Sequence, residues 1–189
     1  NPKTIEQTLP IWDAQLCDAG SKLIKKRIEF LDKLKEYVVA SHKFLTGGKE
    51  TLEISYAGIL GETTEEISQK LAKALLECRE KDLKLGYTNV GPHRDDIKLI
   101  VNGIDIRSFG SQGQQRTVAL SMKLAELEIF KEECGEYPIL LLDDVLSELD
   151  QDRQQRLLWK VKDVQTIITT TQYDPFMMQD ANIIKIENG

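Results

Sequence analysis

The chain has 189 residues, 41% of them hydrophobic, enough for one ordinary domain or two small ones with a real core, and its formal net charge is −6. That acidity excludes indiscriminate nucleic-acid binding over the average surface, because phosphate is repelled, so any contact with DNA has to come from a local basic patch. No apolar run reaches the roughly 18 residues needed to cross a bilayer, Asn1-Pro2-Lys3-Thr4 has no secretory pattern, and Cys17, Cys78 and Cys134 show neither zinc-type spacing nor an even disulfide set. Together these point to a soluble cytoplasmic protein with no membrane partner.

From about Ile11 to Leu45, the residues Leu16, Leu23, Ile24, Ile28, Leu31, Leu34 and Val38 recur at helical spacing, which predicts one long amphipathic helix with a bend at Gly20 as an option. Lys22, Lys25, Lys26, Arg27, Lys33 and Lys35 lie along it. Such a run reads either as a solvated face or as a DNA patch, with Lys25, Lys26 and Arg27 the candidate contacts. His42, Trp12 and Trp159 are assigned to packing. Gly47-Gly48 ends the helix, and Leu52, Ile54 and Tyr56 then alternate with polar residues as in a half-buried strand. Thr63 and Glu66 have capping-box spacing and open a second helix that stops near Gly86.

The pattern changes after Gly91-Pro92. Ile97, Leu99 and Val101, then Asn102-Gly103, then Ile104 and Ile106 predict a hairpin closed by the tight turn that Asn-Gly favours. A helix over about 114–133 follows, then the apolar run Ile139-Leu140-Leu141-Leu142, expected to be a strand buried on both faces. A helix at about 151–162 and a strand at about 166–170 complete an α/β alternation. The division expected from this pattern is a mostly helical lobe over 1–90 and an α/β lobe over 91–189.

Asp143-Asp144 closes the apolar strand, and open α/β sheets bind ligands at that rim. In an extended chain neighbouring side chains point to opposite faces, so the two acids would have different tasks. Asp143 would hold Mg²⁺, and Asp144 would orient the water that attacks a γ-phosphate; the plainer reading is a strand end before a turn. Upstream, Phe109-Gly110-Ser111-Gln112-Gly113-Gln114-Gln115-Arg116 leads into a helix whose first amides suit phosphate, although glycine and serine are also common caps. His93 and Arg94 admit either a phosphate or DNA contact or pairing with Asp95 and Asp96.

In order, Ser111-Gln112-Gly113-Gln114-Gln115, the Asp143-Asp144 strand and Ser147-Glu148-Leu149-Asp150 resemble the signature loop, Walker B strand and D-loop of ABC-type ATPases. Ser111 through Thr117, Gly91-Pro92-His93-Arg94-Asp95-Asp96 and Ile11-Trp12-Asp13-Ala14-Gln15-Leu16 carry the resemblance further, to the C-terminal half of the RecF family. It implies an α/β fold, the C-terminal lobe of an ABC-type ATPase head, preceded by a mostly helical arm domain.

It also implies ATP with Mg²⁺ as cofactors and an ATP-dependent homodimer in which each nucleotide lies between two heads. Ser111, Gln112, Gly113 and Gln114 would act on the ATP of the second copy, Asp143 and Asp144 on their own, and Ser147 and Asp150 would lie across the seam. The implied partners are double-stranded or gapped DNA, RecO and RecR, in the loading of RecA, with a nucleoid-associated location in the cytoplasm.

Several features depart from the pattern. No G-x-x-x-x-G-K-[ST] loop occurs, so this chain alone is expected to bind ATP weakly and to hydrolyse little. Asp144 stands where glutamate is usual, and Thr170, Thr171 and Gln172 stand where relatives place a switch histidine, with Thr171 the candidate γ-phosphate contact. The competing readings are an SMC-like repair or chromosome ATPase lobe and a non-catalytic protein-interaction module.

Overall fold

The structure is a computed structural model that describes residues 2–171 and 181–186, with side chains from residue 8 onward. Gln172 lies outside the described residues. The elements are α1 (Pro2–Leu45), β1 (Leu52–Ala57), α2 (Thr64–Leu85), β2 (Asp96–Val101), β3 (Ile104–Asp105), α3 (Ile106–Phe109), α4 (Gln112–Cys134), β4 (Leu140–Asp143), a 3-10 turn (Leu146–Glu148), α5 (Gln151–Lys160) and β5 (Thr166–Thr169). The fold is mixed α/β, and no helix among the described residues is long and apolar enough to cross a membrane.

Packing groups the chain differently from the change of sequence pattern at Gly91. One unit is Asn1–Glu36 with Leu52–Asp105, and the other is Tyr37–Thr51 with Ile106–Gly189. The cause is strand pairing. β2 lies antiparallel to β1, with Leu52 opposite Val101 and Ala57 opposite Asp96, so the hairpin belongs with the strand that precedes α2.

In the first unit, Cys17 and Ile24 of α1 meet Ile67, Leu71 and Leu75 of α2, with Leu16, Ile28, Tyr56 and Val90 packed around them. Full burial of a leucine such as Leu71 contributes about 2 kcal/mol. Thr63 caps α2 by accepting the Glu66 amide, and Gly86 ends the helix in the left-handed region. Asn102 (φ 50°) and Gly103 (φ 80°) are both left-handed, as a two-residue hairpin turn requires. α1 runs on through Gly20, which packs against Leu71 and Pro92.

The Gly91–Asp96 stretch is a turn wired into this unit. Arg94 donates to the Thr88 carbonyl (3.1 Å) and lies over the Tyr87 ring, so its guanidinium is directed there and not to Asp95. His93 Nε2 lies 3.1 Å from the same Thr88 carbonyl oxygen. Asp95 accepts the Tyr56 hydroxyl at 2.5 Å, and Arg27 donates to the Pro92 carbonyl.

The second unit wraps α4, α5 and the end of α1 around Leu45, Leu120, Leu124, Leu127, Leu140, Leu142, Leu157 and Val161. β4 and β5 pair in parallel, Leu140 opposite Thr166 and Asp143 opposite Thr169, with α5 between them in the chain. β4 is not buried on both faces. Leu140 and Leu142 face the core, while Leu141 (69% exposed) and Ile167 (55%) stand on a face that no described element of this unit covers. Both tryptophans also depart from expectation. Trp12 and Trp159 are exposed, the latter tilted against Phe44 with ring centroids 5.3 Å apart.

Candidate nucleotide-facing site

All the residues singled out as nucleotide-facing lie in the second unit. Gly110 follows the short α3, and a Cβ there would collide with the Ile106 carbonyl oxygen, so glycine is what lets the chain turn toward Ser111. Ser111 is the N-cap of α4. Its hydroxyl accepts the Gln114 amide (3.2 Å) while the Gln114 side chain accepts the Ser111 amide (3.1 Å), a complete capping box. Gln115 braces the loop from below by donating to the carbonyls of Ile106 and Gly110. The first-turn amides of Gln112 and Gly113 have no carbonyl beneath them in the helix, and the space above Gly113 is open. This is a capped helix start with partial positive charge at its open amides, suited to an anion.

The second cluster is the exit of β4. The strand ends at Asp143, and Asp144 is left-handed (φ 50°), so alternation along an extended strand does not govern where Asp144 points. The turn is held from three sides. The Asp144 amide donates to both the carbonyl and the hydroxyl oxygen of Thr169 (3.1 Å each), and Ser147 donates its hydroxyl to the Asp144 carbonyl (2.8 Å). Thr169 donates its own hydroxyl to Asp143 Oδ1, leaving Asp143 exposed at the strand end. Sequence reasoning missed Thr169, because only the pairing of β4 with β5 brings it there.

Among the described residues no group of three or more His, Cys, Asp or Glu side chains gathers in a metal-binding cluster. An Mg²⁺ ion in a phosphate site needs only one or two protein carboxylates, with phosphate and water completing the shell. Asp143 is a suitable donor of this kind. Thr171 lies two residues past β5 and is exposed, whereas the hydroxyl that reaches the Asp143 carboxylate is that of Thr169.

The 3-10 turn after Asp144 links the two clusters. Glu148 accepts from Arg116 of α4 at 2.8 Å. Asp150 caps α5, accepting the Arg153 amide and its guanidinium (2.9 Å each), and Gln154 ties the turn down through the carbonyls of Leu146 and Leu149. The structure thus joins the Ser111 helix start to the Ser147–Asp150 turn and to the Asp143–Asp144 exit. Lys25, Lys26 and Arg27 lie in the first unit. Lys25 and Lys26 share Glu29, Lys22 pairs with Asp18, and Arg27 reaches the Pro92 carbonyl, so the positive charge along this stretch is partly neutralised.

No protein-family model matches the chain. Individual relatives match it along nearly its whole length. The DNA replication and repair protein RecF of Lachnoclostridium phytofermentans is 50% identical over 190 residues, covering 99% of this chain and 51% of that protein. The protein of the same name from Halothermothrix orenii is 47% identical over 192 residues, 96% of this chain and 51% of the relative. Among solved structures, the recombination mediator protein RecF-ATP of the RecFOR pathway superposes with a TM-score of 0.75 at 42% identity, covering 89% of this chain and 46% of that one. The RecF-ATPrS structure gives a TM-score of 0.76 at 41% identity, covering 90% and 48%.

Proposed function

Because the chain belongs to the RecF family and spans about half the length of the curated relatives it matches, we propose that it is the C-terminal half of an ATP-dependent recombination mediator and carries one edge of a nucleotide site shared between two copies. The observation that carries this reading is the joining, through Arg116 and Glu148, of an anion-suited helix start to an exposed carboxylate at a strand exit. Within one head, Asp143 would hold Mg²⁺, with Thr169 fixing its free rotation. Asp144 would orient the attacking water from its braced left-handed turn. Ser111, Gln112, Gly113 and Gln114 would meet the phosphates of the nucleotide on the second copy, with Ser147 and Asp150 at the seam, so that ATP closes the dimer. The phosphate-cradling loop and its lysine would come from the other half of the protein.

In this reading the complete protein hydrolyses ATP slowly and in response to DNA, double-stranded or gapped. It cooperates with RecO and RecR in loading RecA, and the first unit contributes Lys25, Lys26 and Arg27 to DNA. The solved relatives named for ATP and for the RecFOR pathway support the nucleotide and the partners.

The test is ATP hydrolysis by the full-length protein with and without double-stranded DNA, comparing wild type with Ser111→Arg and Asp144→Asn. Loss of DNA-stimulated turnover in both folded variants supports the trans and cis roles. Wild-type rates in both would leave a non-catalytic interaction module as the better description.

A further inference from the structure

His42 lies in α1, far in sequence from every motif residue, yet its side chain is fully buried inside the second unit. Its Nδ1 is 3.3 Å from the Ser121 hydroxyl oxygen. Ser121 has a single hydroxyl proton and donates it to the Thr117 carbonyl (2.6 Å), so Nδ1 must be the donor to Ser121. Thr117 in turn donates to the Gly113 carbonyl (2.7 Å). On its other side, His42 Nε2 faces Glu50 Oε2 at 3.2 Å, Glu50 Oε1 faces Arg153 at 3.5 Å, and Arg153 donates to Asp150. A chain of polar contacts therefore runs from the carbonyl of Gly113 to the carboxylate of Asp150, with one joint, His42 to Glu50, that lacks a hydrogen bond.

We propose that His42 and Glu50 are positioning residues: with Ser121 and Arg153 they form an internal polar relay that presents the Ser111–Gln114 helix start and the Asp150 turn together to the nucleotide of the second copy, an inference that rests on the function proposed above. The chemistry favours this over simple filling of space. A buried polar cluster costs stability wherever a bond is imperfect, and an apolar side chain of similar size would fill the same place without that cost. Here one joint is imperfect. Nε2 of His42 and Oε2 of Glu50 are within ion-pair distance but out of hydrogen-bond alignment, and neither has a hydrogen-bond partner among the described residues. Burial pushes the imidazole below its ordinary range, Glu50 pulls it back up and Arg153 pushes it down. With its proton on Nδ1, the neutral imidazole presents a lone pair from Nε2 to the Glu50 carboxylate, so this joint is held by packing and by the Glu50–Arg153 ion pair and not by a hydrogen bond.

The experiment uses the full-length protein and measures nucleotide affinity, ATP-dependent dimerisation by sedimentation, and turnover. His42→Leu removes the middle of the relay. Arg153→Met cuts its outer end at a half-buried side chain without opening the core, and it decides the matter alone if His42→Leu does not fold. The expected result is unchanged nucleotide affinity and thermal stability in a folded variant, dimerisation weakened about tenfold, turnover falling with it, and recovery of most of the loss in His42→Gln. Wild-type dimerisation in the folded variants overturns the relay, as does a loss of nucleotide affinity in parallel with melting temperature, which marks a merely structural role. Ser111→Arg separates this from the underlying reading. If it leaves ATP-dependent dimerisation intact, the shared-site reading itself falls; if it abolishes dimerisation while His42→Leu and Arg153→Met do not, only the relay falls.

Discussion

The hydroxyl of Thr169 is bonded to the carboxylate of Asp143 across the parallel pairing of β4 and β5, and the same oxygen receives the amide of Asp144. One side chain thereby sets both the orientation of the first acid and the geometry of the turn that carries the second. Thr169→Val keeps the β-branched shape and removes both bonds. The expected cost in stability is about 1 kcal/mol, with a larger effect on Mg²⁺-dependent nucleotide binding by the full-length protein. Thermal denaturation alongside a Mg²⁺ titration measures the two, and equal Mg²⁺ dependence in variant and wild type would remove Thr169 from the site.

Asp144 adopts a backbone conformation that glycine tolerates best and that Asn and Asp tolerate better than other side chains. Asp144→Gly should therefore match or exceed the wild-type melting temperature while abolishing hydrolysis. Asp144→Val should lose roughly 1–3 kcal/mol of stability through backbone strain. Asp144→Asn, which keeps the conformation, isolates the carboxylate. A glycine variant that retains full turnover would show that the acid has no part in the chemistry.

Arg116 and Glu148 form an exposed pair, with side chains 45% and 38% accessible, so its contribution to stability should be below about 1 kcal/mol. Its expected role is in assembly. Glu148→Arg should weaken ATP-dependent dimerisation with little change in melting temperature, and the exchange Arg116→Glu with Glu148→Arg should restore part of it. Failure of the exchange to improve on the single variant would argue that the two residues act separately.

Tyr56 gives the first unit an alkaline limb. Its hydroxyl is pushed up to about 12, first by burial and then by its bond to Asp95, with Arg27 opposing. The folded-state value lies above the unfolded value of about 10, so this stabilisation is complete below pH ~10 and is lost as pH rises toward ~12, about 2 kcal/mol in all. Phenolate absorbance should reveal one tyrosine titrating with alkaline unfolding. Tyr56→Phe should flatten that limb and cost about 1 kcal/mol at neutral pH by leaving Asp95 without its donor.

Much of the fold was legible because local chemistry agreed with tertiary need. Asn102-Gly103 could hardly serve as anything but a tight turn, and Thr63 and Gly86 bracket α2. What remained hidden depends on partners distant in sequence. Thr169 meets Asp143 across 26 residues and His42 meets Ser121 across 79, and neither encounter leaves a local signature. The apolar run at 139–142 disclosed composition and not which face has a neighbour, so the exposure of Leu141 was invisible. Likewise the change of pattern at Gly91 marked where strands begin, whereas β1 takes β2 as its partner and draws the hairpin into the first unit.

The parallel pairing of β4 and β5 also orders events in time. A strand joined to its parallel neighbour only through an intervening helix has no ladder to enter until that helix and the second strand exist. Asp143 therefore leaves the ribosome before the threonine that will grip it, and the carboxylate exit acquires its final geometry only after α5 and β5 have been synthesised and docked. The first unit, whose strands and helices all precede residue 106, can already be folded by then, so this acidic corner matures after it.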